Sequence, residues 1–233
     1  MFERYILASS FDRISKRFNM ARLPDSEGYE PSYNIGCGGI AYVITDEVTR
    51  KIYSFKFGIN GLGRNFPEET CFIRAEGKRN LKDDPEYSGA KALFLQPELK
   101  TIIRTQRCLV LADAFVVGIE KCQPHLVYLR EKKRPFAFAG IWSHESFAII
   151  TVPANTLLQK LGMKRMPVIL PREVEHRWIR KSSQLFEVTD MLKPYSAWFM
   201  NAYPITLRIA DYTLNDKSLV QPLGATVYKE AQL

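Results

Sequence analysis

The run RCLVLADAFVV, residues 107–117, decides what kind of fold this chain can adopt. It is short, apolar and rich in β-branched residues, the composition of a core strand rather than of an amphipathic helix. Similar runs lie on both sides of it. AYVIT (41–45), KIYSFKFGI (51–59) and ALFLQ (92–96) precede it, and HLVYLRE (125–131), FAFAGIW (136–142) and FAIITV (147–152) follow. Polar residues or Gly/Pro breaks separate them, so each reads as a strand. ITLRIADYTL (205–214) is expected to be a late strand. IGCGGI (35–40) reads as a turn between strands.

Helical signals are few. Ser9 can cap a short helix with Asp12 at its third position, and Phe11, Ile14 and Phe18 then share one face. PANTLLQKLG (153–162) predicts a helix beginning near Ala154 or Asn155, turning Leu157, Leu158 and Leu161 inward, and stopping at Gly162. PREVEHRWIRKS (171–182) begins with proline in a helical first turn and places Val174 and Trp178 on one face. Repeats, low-complexity tracts and long linkers are absent. Together these features predict one α+β domain over residues 1–233, built on a curved, barrel-like, mostly antiparallel sheet with a few short flanking helices.

Composition narrows the function classes. The chain has 233 residues, 46% of them hydrophobic and 25% charged, which suits a water-soluble protein with a substantial core. No apolar run reaches the roughly eighteen residues of a membrane span, and no secretory signal is visible, so a cytoplasmic location is expected. Cys37, Cys71, Cys108 and Cys122 form no C-x-x-C pair and are expected to be free thiols in such a compartment. His125, His144 and His176 stand far apart, which argues against a zinc site. The net charge of +8 is gathered in RKIYSFK, GKRN, REKKR and KLGMKR, away from acidic DSEGYE and KDDPE, and this segregation permits a positive face for polyanions.

The usual catalytic motifs are missing. IGCGGI lacks the Lys-Ser/Thr of a P-loop and the G-x-G-x-x-G spacing of a dinucleotide site, and His144 in SHES has no second histidine four residues on. No G-x-S-x-G elbow occurs.

A series of medium-length motifs in a fixed order carries a stronger signal. MFERY (1–5), FKFGI (55–59), FIRAEG (72–77), RCLVLADAF (107–115), AGIW (139–142) and RMPVIL (165–170) resemble the SRAP family, the SOS-response-associated peptidase-like proteins that shield abasic sites in single-stranded DNA. Order and spacing agree to about residue 170, and the tail resembles the family more loosely. The resemblance implies the SRAP-like fold, single-stranded DNA as partner, and neither cofactor nor metal. It also implies a catalytic frame. Family members start like MCGRY, and the cysteine exposed by loss of the initiator methionine captures the ring-opened sugar aldehyde as a thiazolidine. An α-amine, with a pKa of about 7.7–8.0, supplies the nitrogen nucleophile, and the adjacent thiol closes the ring. An asparagine in an NARAE-type motif, a glutamate ending an RCLVPADGFYEW-type motif and a histidine three residues before the methionine of RMP assist.

This chain keeps the frame and lacks those groups. Phe2 occupies the nucleophile position, Phe72 the asparagine, Val117 the glutamate and Met163 the histidine. Phe2 should also keep Met1 in place, because methionine aminopeptidases need a small second residue. Four apolar replacements predict a catalytic cleft converted to packed interior, without the thiazolidine chemistry. Arg4, Arg74, Arg107, Lys164 and Arg165 are the expected DNA-binding cations. Phe57 stands where the family's WGLIP-type segment carries tryptophan, with Gly61 in place of its proline and Gly118 in place of a second aromatic. A structural role for Arg107, paired with a carboxylate at a strand end, is the competing reading.

Three functions are compatible with these residues: a degenerate SRAP-like single-stranded DNA binder, a structural or protein-interaction descendant, and an enzyme with a relocated nucleophile at Cys37. The last lacks an evident base. Cys108, in an apolar strand pattern, is expected to be buried and inert.

Overall fold

The computed structural model describes residues 2–20, 28–45, 50–121, 123–130 and 134–228. The 107–117 run is split between two sheets. Arg107–Ala112 belongs to the larger sheet and Ala114–Val117 to the smaller. The break falls at Asp113, whose carboxylate accepts hydrogen bonds from the backbone N–H groups of Ala8 (2.7 Å) and Ser9 (2.6 Å) and from the Ser9 hydroxyl (2.6 Å). Ser9 is therefore occupied in the interior, and Ser10 caps the first helix, Phe11–Phe18, in its place. Ile14 and Phe18 face the core as expected, and Phe11 is only half-buried.

The larger sheet contains a closed ring. Ser146–Pro153 pairs with Ile52–Phe57, which pairs with Ile40–Ile44, then Arg107–Ala112, then Phe136–Ser143, which returns to Ser146–Pro153. Closure removes free edges from these strands. All the pairs in the ring are antiparallel except Ser146–Pro153 with Ile52–Phe57, so the predicted barrel-like, mostly antiparallel sheet is present. The smaller sheet runs Met200–Pro204, His125–Leu129, Ala114–Val117, Arg4–Leu7, Ser32–Gly36, antiparallel throughout. Successive residues of its strands point to opposite faces. Tyr5, Leu7, Phe115, Val117 and Val127 enter the main core, whereas Ile6, Ala114, Val116 and Leu126 meet Ile205, Ile209 and Leu219 on the outer face.

The remaining elements also follow from local chemistry. Asn155 caps Thr156–Lys160 through its side chain and Leu157 and Leu158 are buried, while Arg172–Ile179 follows Pro171 and buries Trp178. IGCGGI is the turn joining Ser32–Gly36 to Ile40–Ile44, and Gly38 supplies the left-handed φ of 85°. Helices Pro97–Thr105 and Leu185–Asp190 were not anticipated.

Two expected strands are not strands. ALFLQ forms a 3₁₀ turn, Leu93–Leu95, that leads directly into the Pro97–Thr105 helix and buries Leu93. Residues 205–214 contain the 3₁₀ turn Leu207–Ala210, capped by Thr206. Ile205 and Ile209, four apart, both reach the outer face of the small sheet, a spacing open to strand and helical turn alike, and the local bonds from Ile209 N–H to the Thr206 carbonyl and from Asp211 N–H to the Arg208 carbonyl make the segment a turn. The closing strand is instead Met200–Pro204. Among the described residues, no helix is long and apolar enough to cross a membrane.

Candidate functional site

The N-terminal segment runs along the Ala114–Val117 strand, with Glu3 N–H donating to the Val116 carbonyl at 3.2 Å. This register sends Phe2 into the interior, where it is fully buried. Its ring centroid lies 4.8 Å from that of Phe72, 5.6 Å from Phe115 and 5.8 Å from Phe138. Phe72 in turn meets Phe57 edge-on at 5.4 Å, and Phe57 stacks on Phe147 at 5.0 Å. Edge-on and offset arrangements are the favourable ones for rings carrying a quadrupole. Val117 and Met163 belong to the same core, with 0% and 7% exposure. The four positions matched to the family's catalytic residues by resemblance thus lie in or against the main apolar core, Phe72 half-buried at its edge, and their side chains carry no hydrogen-bonding group. Met1 and Cys122 lie outside the described residues.

Two glycines explain why the family's aromatic and proline positions are not simple side-chain exchanges. Gly118 has φ +84°, and a Cβ there would lie 2.8 Å from the Gln123 carbonyl oxygen, so a tryptophan does not fit this backbone. Gly61 has φ +67°, which proline's ring forbids. Phe57, expected to offer an aromatic face to DNA, is fully buried and has no surface available for a base.

The expected DNA-binding cations divide into three kinds. Arg4 is 5% exposed. Its guanidinium lies 3.7 Å from the centroid of the Tyr212 ring and donates to the carbonyls of Glu3 (2.9 Å) and Ala210 (3.5 Å). Arg107 is also buried, but its partners are not carboxylates. It donates to the carbonyls of Ile103 and Arg104 at the end of the Pro97–Thr105 helix, and to those of Trp178 and Arg180 at the end of Arg172–Ile179. One strand-end arginine thus satisfies the last turns of two helices. Burial pulls its pKa down to about 10, still high enough to keep the charge at neutral pH.

Arg165, 2% exposed, is the centre of a buried ion network. It pairs with Glu76 at 2.8 Å and Asp83 at 3.0 Å and donates to the Thr151 hydroxyl and carbonyl. Arg74 shares Asp83 at 2.5 Å, but about a third of its side chain remains exposed. Lys164 is exposed. Lys164 can thus meet a polyanion as it stands, Arg74 only through the exposed third of a side chain that grips both Asp83 oxygens and the Asn80 carbonyl, and Arg4, Arg107 and Arg165 are committed to internal partners. Asp83 and Tyr212, which hold these arginines, were not singled out from sequence. Each lies in a polar segment whose partner is distant along the chain.

The cysteines depart from expectation. Cys37 and Cys71 form a disulfide, so they are not free thiols. It ties the glycine turn to the segment entering Phe72. Sequence reasoning missed it because the two residues lie 34 apart and meet only through pairing of the strands between them. Glu69, 3.6 Å from Cys37 Sγ, is itself paired with Lys56 at 2.6 Å. Cys37, Glu69 and Cys71 bring their donor atoms within 4.8 Å of one another, but both sulfurs are consumed by their mutual bond. Cys108 is free and fully buried, and burial pushes its thiol pKa up, as expected of an inert residue.

The chain is similar to the abasic site processing protein YoqW of Bacillus subtilis, with 26% identity over 95% of this chain and 99% of the relative. It is also 26% identical to the abasic site processing protein YobE of the same organism, over 88% of this chain and 94% of that one. Among solved structures, a Bacteroides thetaiotaomicron protein shares the fold with a TM-score of 0.73, 20% identity and coverage of 94% of this chain and 98% of its own. A phage-related protein of Bordetella bronchiseptica does so with a TM-score of 0.62, 22% identity and coverage of 87% and 93%. The sequence model of the SOS response associated peptidase family matches residues 1–212, and with the ring of strands and the ordered motifs in place, the chain belongs to the SOS response associated peptidase (SRAP) family.

Proposed function

We propose that this protein acts in a DNA-damage context as a non-covalent binder of single-stranded DNA, having lost the thiazolidine crosslinking and autopeptidase chemistry of its family. The observation that carries the first half is the Phe2–Phe72–Phe115–Phe138 cluster. Thiazolidine formation needs an amine and a thiol on one residue, and Phe2 has no thiol whether or not Met1 precedes it. The assisting positions Phe72, Val117 and Met163 offer neither proton donor nor acceptor at their side chains. Support for DNA binding comes from the family, from relatives named for abasic-site processing, from the net charge of +8, from the exposed Lys164 and from the partly exposed Arg74.

Incubation with single-stranded DNA bearing an abasic site, split between a denaturing gel and a binding isotherm, tests both halves. The expected result is no covalent adduct, together with binding that weakens with salt at a log–log slope of about −0.7 per phosphate neutralised. An adduct would refute the loss of chemistry, and an adduct absent from Cys37→Ser would place the nucleophile at a reduced Cys37. Lack of binding at low salt would favour a second reading, a structural or protein-interaction descendant. The internal commitment of Arg4, Arg107 and Arg165 is the observation on its side.

A further inference from the structure

The outer face of the small sheet, opposite the filled catalytic frame, carries a cleft of about 920 Å3. Strand alternation places it there: Ile6, Ala114 and Leu126 form its floor, while their neighbours Tyr5, Phe115 and Val127 face the main core. The volume falls within the roughly 300–1,000 Å3 of small-molecule sites.

Its lining has two kinds of group besides the apolar floor. Tyr33, Tyr128, Tyr203 and Trp198 supply aromatic surface. Trp198 is 76% exposed, an unusual state for the largest apolar side chain. Arg13, Arg130, Arg134 and Lys217 supply positive charge, and among the described residues none of them forms an ion pair. Nε of Arg130 is buried without an acceptor among the described residues. Among the described lining residues the one carboxylate is Asp113, which is 4% exposed, accepts from Ala8 and Ser9 N–H and the Ser9 hydroxyl, and forms no ion pair with these cations.

We propose that this cleft is a nucleotide-binding site, with the base held over the apolar floor against the tyrosine and tryptophan rings and the phosphate held by Arg13, Arg130, Arg134 and Lys217. Aromatic stacking together with arginine–phosphate contacts is the combination that selects a planar base joined to an anion. An acidic peptide would use the cations but leave the rings idle, and an uncharged aromatic would do the reverse. The same chemistry is offered by a free nucleotide and by one nucleotide of a strand. The site is separate from the frame around Phe2 and does not depend on DNA lying near Arg74.

The test is titration of the full chain, followed by tryptophan fluorescence and calorimetry, with dAMP, deoxyadenosine and inorganic phosphate in parallel. dAMP should bind at least about tenfold more tightly than either half alone, and more weakly as salt rises. Arg134→Ala/Lys217→Ala should lower dAMP affinity about tenfold or more without lowering the melting temperature, because both side chains are exposed. The Arg134 carbonyl that Arg13 bonds is retained in that variant. Trp198→Ala should lower it through the base alone, leaving phosphate binding unchanged. Displacement of dAMP by an eight-residue oligo-dA would assign the site to a nucleotide within a strand, and its failure to displace would assign it to the free nucleotide. No dAMP binding at millimolar concentration, equal affinity for dAMP and phosphate, or an unaffected double variant would overturn the proposal. Oligonucleotide binding that persists undiminished in the double variant would leave the DNA-binding role standing without the cleft.

Discussion

Replacing Phe2 by alanine tests whether the position matched to the family's nucleophile is structural in this chain. The side chain is fully buried and touches three rings at centroid separations of 4.8, 5.6 and 5.8 Å. Truncating a buried phenylalanine costs about 3–5 kcal/mol, the sum of lost transfer free energy and an incompletely collapsed cavity. Against a total stability of roughly 5–15 kcal/mol that is a large fraction, so Phe2→Leu, expected to cost less than about 1.5 kcal/mol, is the folded reference. Equilibrium urea unfolding reads the difference, provided the m-value stays constant. A double-mutant cycle with Phe72→Ala isolates the ring pair, for which about 0.5–1.5 kcal/mol of coupling is expected. A loss below about 1 kcal/mol for Phe2→Ala, with no coupling to Phe72, would refute the filled cleft. It would mean that the N-terminus lies against the barrel without packing into it.

Two further outcomes follow from the buried network and the disulfide. Arg165→Ala leaves the fully buried Glu76 with only Lys91, 3.9 Å away, and should cost about 3–5 kcal/mol, whereas Arg74→Ala, a third exposed and leaving Asp83 its Arg165 partner, should cost much less and reduce DNA affinity. Thermal melts paired with binding isotherms separate the two, and equal stability losses would show that Arg74 is structural as well. Reduction of the Cys37–Cys71 disulfide, or Cys37→Ser/Cys71→Ser, should lower stability by about 3–4 kcal/mol, from the chain entropy of the 34-residue separation it closes. A urea midpoint insensitive to reductant would contradict this.

Much of the fold was legible because local chemistry and global packing agree in the barrel strands. Ile52–Phe57, Phe136–Ser143 and Ser146–Pro153 are apolar and aromatic in sequence and lie in the closed ring. Asn155 and Gly162 marked their helix ends through side-chain capping and a left-handed φ. The misread segments are those in which an apolar run serves two surfaces. Residues 205–214 hold enough isoleucine and leucine for a strand, yet the Thr206 cap and local i to i+3 hydrogen bonds close them into a turn that still sets Ile205 and Ile209 on one sheet face. The split at Asp113 is invisible in composition, since it depends on backbone groups at Ala8 and Ser9, more than a hundred residues away.

For the candidate site the division is similar. That Phe2, Phe72, Val117 and Met163 carry no group able to form a thiazolidine follows from their side-chain composition and needs no coordinates. The same holds for the family frame and the surplus of positive charge. Where that charge is spent became visible once the chain was folded. Arg4 lies against Tyr212, Arg107 serves the ends of two helices and Arg165 pairs with Glu76 and, alongside Arg74, with Asp83, while Arg13, Arg130, Arg134 and Lys217 surround an aromatic cleft. A cation's role depends on the carboxylate, carbonyl or ring that folding brings within a few ångströms of it, and those partners come from distant parts of the chain.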